Sequence, residues 1–121
     1  MPVKIYEYAK CSTCVKALKF LDKKSVAYTK KAIVDTPPSL NELKTMLKHL
    51  KTQGKNIKNL FNTSGQVYRE MNLSEKLKTE TSEEVLLKLL SSNGKLIKRP
   101  FVLTDSTGTV GFNEDEWKKI F

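Results

Sequence analysis

The apolar positions of this chain switch between two periods, and the switches outline its elements. "VKIYEY", Val3 to Tyr8, is rich in β-branched and aromatic residues and reads as a strand. Cys14, Ala17, Leu18 and Leu21 then recur at i, i+3, i+4 and i+7, one apolar face of a helix, with Lys16, Lys19 and Lys23 off that face. "VAYTKKAIV", Val26 to Val34, reads as a second strand weakened by its two lysines. Strand, helix and strand in that order predict a right-handed βαβ unit.

"DTPPS" then breaks the chain. Ser39 and Glu42 form a capping box ahead of Leu40, Leu43, Leu47 and Leu50 at helical spacing, and Gly54 ends that helix. From Ile57 to Leu77 the pattern is mixed, with short helices expected around "IKNLF" and "VYREM". The stretch Thr81 to Glu84 opens another helix, with Val85, Leu86, Leu89 and Leu90 apolar and Gly94 closing it. "FVLT", Phe101 to Thr104, and "TVGF", Thr109 to Phe112, flank the turn "DSTG" and predict a hairpin. Asn113 caps a last helix, with Glu114, Asp115 and Glu116 in its first turn and Lys118 and Lys119 in its last, as the helix dipole favours. The predicted order is βαβ, a helical block, then ββα, in one domain spanning residues 1–121, with 36–98 forming most of the helical insertion.

Composition narrows the function classes. A chain of 121 residues with 39% hydrophobic and 29% charged residues is that of a globular domain. No apolar run approaches the ~20 residues needed to span a bilayer. "MPVKIYEYAK" lacks the apolar core of a secretory signal, so a cytoplasmic protein without membrane attachment is expected. Lys plus Arg is 22 against 13 Asp plus Glu, a net +9, but the lysines are scattered and no basic run interleaves with aromatics. That pattern describes solvated faces and predicts no specific nucleic-acid binding. No long apolar stripe is left over, which favours a monomer.

The two cysteines, Cys11 and Cys14, are the chemistry-bearing residues, and three readings compete. A structural zinc site is short of ligands, because His49 is the only histidine and no second cysteine pair exists. No metal is expected. Two buried structural cysteines suit Cys14, which lies on the apolar face, but not Cys11, which precedes it beside Lys10, Ser12 and Thr13. Redox chemistry fits best, because the pair follows a strand inside a βαβ pattern. At a helix N-terminus, unpaired N–H groups and the dipole favour a thiolate, and Lys10 adds positive charge. Cys11 is then the nucleophile, and Cys14, about one turn on, the resolving thiol.

"YAKCSTCVKALKFL", "FNTSGQVYREMNL", "NGKLIKRPFVL" and "VGFNEDEW" together resemble the glutaredoxin-related arsenate reductase family, including its Spx and MgsR-like branch of regulators. The resemblance runs over almost the whole chain. It implies an α/β thioredoxin-like fold, a mixed four-stranded sheet with an inserted helical block. It also implies that Cys11 is the family's nucleophile, that Arg99 stabilises the thiolate or an oxyanion, and that Pro100 is a cis-proline facing the active cysteine. Lys10, Ser12, Thr13, Asn62 and Pro100 are the substrate-binding candidates. No bound cofactor is implied, only a thiol reductant such as glutathione or thioredoxin.

The chain departs from the arsenate-reducing pattern. Asn62 and Val110 to Phe112 stand where those members look to carry further arginines, and Arg69 belongs to the separate "YRE" motif. A single arginine makes a thin oxyanion pocket. The Spx branch carries Cys-x-x-Cys as a redox switch and binds RNA polymerase, but continues past its last helix with a basic tail, where this chain stops at Phe121. The expected function is therefore a thiol–disulfide redox protein of this family, acting on a thiol reductant or a disulfide-bearing substrate. A redox-switched regulator that binds RNA polymerase and a true arsenate reductase are the alternatives.

Overall fold

In the computed structural model, which describes residues 3–8, 10–79 and 82–121, a short central strand organises the rest. The elements in chain order are β1 (Lys4–Glu7), α1 (Ser12–Lys23), β2 (Thr29–Ala32), α2 (Leu40–Thr52), a 3-10 turn (Ile57–Leu60), α3 (Gln66–Glu70), α4 (Leu73–Thr79), α5 (Glu83–Ser92), a second 3-10 turn (Gly94–Leu96), β3 (Phe101–Leu103), β4 (Gly108–Val110) and α6 (Glu114–Ile120). β1 pairs in parallel with β2 and antiparallel with β3, and β4 extends β3, giving the order β2-β1-β3-β4.

Strand alternation sends side chains into two cores. Val3 and Ile5 of the β1 segment and Val102 of β3 meet Ala17, Phe20 and Leu21 of α1 and Trp117 of α6 on one face. Tyr6 and Phe101 point the other way, into a larger core built with α2, α5 and both 3-10 turns. The sheet is thus a middle layer, and each helix buries its apolar stripe against one side.

One polar anchor fixes the helical layer on the sheet. Ser39 and Glu42 form the predicted capping box, with Ser39 N–H donating to Glu42 Oε1 at 3.0 Å and Glu42 N–H to Ser39 Oγ at 3.1 Å. Glu42 also accepts from the Tyr6 hydroxyl at 2.8 Å and from Lys4 Nζ at 3.0 Å. Burial pushes the Glu42 carboxyl up, but the Ser39, Tyr6 and Lys4 contacts outweigh it and hold the group below its ordinary value.

The strand boundaries and one helix start differ from those read in the sequence. The second strand covers only Thr29–Ala32, because Ser25 takes the left-handed conformation (φ 56°) and Val26 N–H bonds back to the Leu21 carbonyl, closing α1. Its lysines fit an edge strand, where charge discourages further pairing. The hairpin strands shorten because Thr104 Oγ1 accepts from Ser106 and Thr107 N–H, drawing residue 104 into the turn. β4 stops before Gly111, whose φ is +73°. The first strand ends at Glu7, leaving the Tyr8 carbonyl for Cys11 N–H at 2.9 Å. The helix predicted to open over residues 81–84 begins at Glu83 with Ser82 as cap, and Thr81 lies outside the described residues. Among the described residues no helix is long and apolar enough to cross a membrane.

Candidate functional site

α1 begins where β1 ends, so residues 8–14 turn from strand to helix at the edge of the sheet. Cys11 is the N-cap, with extended backbone (φ −91°, ψ 115°). Val15 N–H closes the first turn on the Cys11 carbonyl at 3.1 Å. No acidic residue stands in that turn, so nothing opposes the dipole's preference for an anion there. Both cysteines are free thiols, Cys11 partly exposed and Cys14 fully buried.

The two thiols differ in their surroundings. Burial pushes the Cys14 thiol up to about 12 from an ordinary 9.0. A Tyr8 backbone hydrogen bond works against that shift, the side-chain hydrogen bond with Cys11 and the Cys11 charge add to it, and Arg99 opposes it. Cys14 is therefore a neutral donor to the sulfur of Cys11 at physiological pH.

Arg99 reaches this site from the opposite end of the chain. Its guanidinium lies 4.8 Å over the Tyr8 ring, a cation–π contact that holds the charge beside the turn leading into Cys11. The Arg99–Pro100 peptide is cis, and Pro100 is buried. Next to Arg99 opens a cleft of about 260 Å³, lined by Tyr8, Asn62, Gly65, Gln66, Lys95 and Arg99 with Val67. Asn62 adjoins a one-residue bridge between Phe61 and Ile97, locked by Asn62 N–H to the Leu96 carbonyl at 2.7 Å and Lys98 N–H to the Leu60 carbonyl at 2.8 Å. Asn62 and Lys95 line the same cleft although they are far apart in sequence. Gly65 lets the Asn62 amide fold back over the turn, since a Cβ there would lie 2.7 Å from Asn62 Nδ2.

The structure thus gathers Cys11, Cys14 and Arg99 around Tyr8, with Asn62 in the adjoining cleft. Lys10 and Ser12 are exposed and Thr13 half-buried, and none of the three lines the cleft. Cys11 does not line it either; it stands beside it, across Tyr8. The sequence alone singles out neither Tyr8 nor Lys95. Tyr8 reads as the last residue of a strand, and the only signal for Lys95 is its place in "NGKLIKRP", four residues before Arg99. Among the described residues no cluster of three or more His, Cys, Asp or Glu side chains is placed to hold a metal ion.

The model of the ArsC family matches residues 6–120. The chain belongs to the ArsC family. It is 43% identical over 119 residues to the uncharacterised protein YusI of Bacillus subtilis, covering 98% of each chain. It is 28% identical to the global transcriptional regulator Spx 2 of Bacillus anthracis, covering 98% of this chain and 86% of that one. A crystal structure of a protein from Bacteroides fragilis described as ArsC family related superposes with a TM-score of 0.92 at 44% identity, covering 100% of this chain and 98% of that one. The mixed four-stranded sheet with flanking helices is the thioredoxin-like fold these ArsC structures share.

In this ArsC family member the raised Cys14 value has a consequence for stability. The neutral thiol is favoured by folding, so its contribution is complete below the ordinary value near 9.0 and is lost as pH rises toward about 12. Wild type should lose about 2 kcal/mol more than Cys14→Ala between pH 8 and 11, measured by urea unfolding in the presence of a phosphine reductant. Parallel pH curves for the two proteins would show that Cys14 is not held neutral by the fold.

Proposed function

We propose that this chain is a cytoplasmic thiol–disulfide redox protein in which Cys11 attacks and Cys14 resolves. The observation that supports it most is the asymmetry of the pair: a partly exposed sulfur at a helix N-cap, with a buried neutral thiol donating to it. The arrangement times itself. Two of the influences that keep Cys14 neutral are the charge on Cys11 and the hydrogen bond to it. Once the Cys11 sulfur is bound in a mixed disulfide both vanish, while Arg99 and the Tyr8 backbone still favour the Cys14 thiolate. Cys14 gains acidity at the step where it attacks. No bound cofactor takes part, and an external thiol such as glutathione or thioredoxin returns the pair to the dithiol.

The similarity to Spx 2 carries the second reading, in which the same pair switches a regulator that binds RNA polymerase. Arsenate reduction is the third, supported by family membership and by Arg99 but weakened by Asn62. The deciding experiment offers glutathione disulfide, oxidised thioredoxin and arsenate separately, and in parallel captures RNA polymerase with the oxidised and reduced protein. Turnover of a disulfide with loss of two free thiols is expected. Redox-dependent capture without turnover would replace this reading with the regulator. Turnover of arsenate alone would replace it with the reductase.

A further inference from the structure

The cleft beside the cysteines has a chemical bias that the redox pair does not explain. Lys95 and Arg99 both line it, and no carboxylate does among the described residues. Its remaining polar groups include the amides of Asn62 and Gln66. The backbone of Lys95 is held by the geometry of its turn. Asn93 Oδ1 accepts from Lys95 N–H at 3.0 Å, and Gly94 packs directly on the Ile33 carbonyl, so the 3-10 turn that carries Lys95 is fixed on the sheet. Arg99 is fixed from the other side by the Tyr8 ring. At about 260 Å³ the space suits one short arm of a small molecule, below the usual range for a drug-sized ligand.

From this juxtaposition we infer that the cleft selects small disulfides bearing a carboxylate, with Lys95 as the specificity-determining residue and Arg99 as its partner. The inference rests on the redox reading above and names its substrate class. The Cys11 thiolate attacks one sulfur of R–S–S–R, forming Cys11–S–S–R and releasing R–S⁻, which takes a proton from solvent. The retained R arm lies in the cleft, its carboxylate between Lys95 and Arg99. The Cys14 thiol loses its proton and attacks the Cys11 sulfur, forming the Cys11–Cys14 disulfide and releasing the second R–S⁻. The protein gives up two electrons and the substrate takes them, and added dithiothreitol restores the dithiol.

The test compares three disulfides of similar size: dithiodipropionate, which is anionic, hydroxyethyl disulfide, which is neutral, and cystamine, which is cationic. The readout is the ratio of kcat/KM for the anionic over the neutral compound, relative to wild type, so the intrinsic reactivity of each disulfide cancels. Lys95→Gln should lower that ratio roughly three- to tenfold, the span between an exposed ion pair and a charge-assisted hydrogen bond. Lys95→Glu should lower it further and raise the relative rate with cystamine. Added salt should shrink the wild-type ratio. A ratio unchanged in both variants overturns the assignment even if turnover persists. Failure of wild type to reduce any of the three sinks the redox reading itself, and this inference with it.

Discussion

Cys11→Ser should abolish disulfide reduction, while Cys14→Ser should stop it one step later with the substrate's thiol still attached to Cys11. The magnitude follows from the Cys14 environment. With its thiol pushed up to about 12, the thiolate fraction at pH 8 is on the order of 10⁻⁴. The greater basicity of such a thiolate recovers roughly thirtyfold in nucleophilicity. Against a thiol of the ordinary value, about a tenth ionised at pH 8, that leaves a deficit of roughly thirtyfold before access is considered, and Cys14 is 0% exposed. Cys14 alone therefore cannot begin the reaction. It completes the reaction because the mixed disulfide brings the target sulfur within one helical turn and removes the neighbouring charge. Mass spectrometry after brief exposure to dithiodipropionate should show an adduct on Cys14→Ser and none on Cys11→Ser. An adduct on Cys11→Ser at the wild-type rate would reverse the two roles.

How much of this is legible in the sequence depends on how local each interaction is. The Ser39–Glu42 capping box and the Asn113 cap are legible because their partners lie three residues apart. The position of Cys11 at a helix start is legible for the same reason. The second strand reads too long because Val26 and Tyr28 carry strand propensity yet are held by the α1 terminus and by a Tyr28 hydroxyl contact to Asp22 at 3.0 Å. Propensity does not register a helix end that captures the following residues. Arg99 and Pro100 are identified through resemblance, since nothing within "LIKRPFV" says that Tyr8 will lie under the guanidinium. Tyr8 and Lys95 escape a sequence reading because their roles are tertiary. One is a ring under a charge from the far end of the chain, and the other lines a cleft with Asn62, far from it in sequence.

Gly94→Ala is expected to destabilise the fold by about 3 kcal/mol or more, although glycine at a helix end is usually a conformational choice. The sequence suggests that Gly94 simply closes α5. In the structure Asn93 caps that helix, and Gly94 does not take the left-handed conformation that favours glycine. Its reason is contact. A Cβ at position 94 would collide with the Ile33 carbonyl oxygen and lie 2.7 Å from the Ile33 carbonyl carbon, with the Val34 Cα at 3.3 Å. These are backbone atoms at the end of β2, where Ile33 N–H is bonded to the Glu7 carbonyl at 2.9 Å, so they yield only if the sheet edge or the turn moves. Gly54 supplies the contrast. It is left-handed at φ +79°, and a Cβ there would meet nothing within 4 Å, so Gly54→Ala should cost only about 1–2 kcal/mol through backbone strain. Urea midpoints for the two variants separate the steric from the conformational cost. The steric cost also has a functional trace: moving the turn off Ile33 carries Lys95 away from Arg99, so whatever Gly94→Ala protein stays folded should lose its preference for anionic over neutral disulfides while keeping Cys11 reactive. A Gly94→Ala protein within about 1 kcal/mol of wild type, with that preference intact, would falsify the close packing of the turn on β2 as the device that sets the cleft.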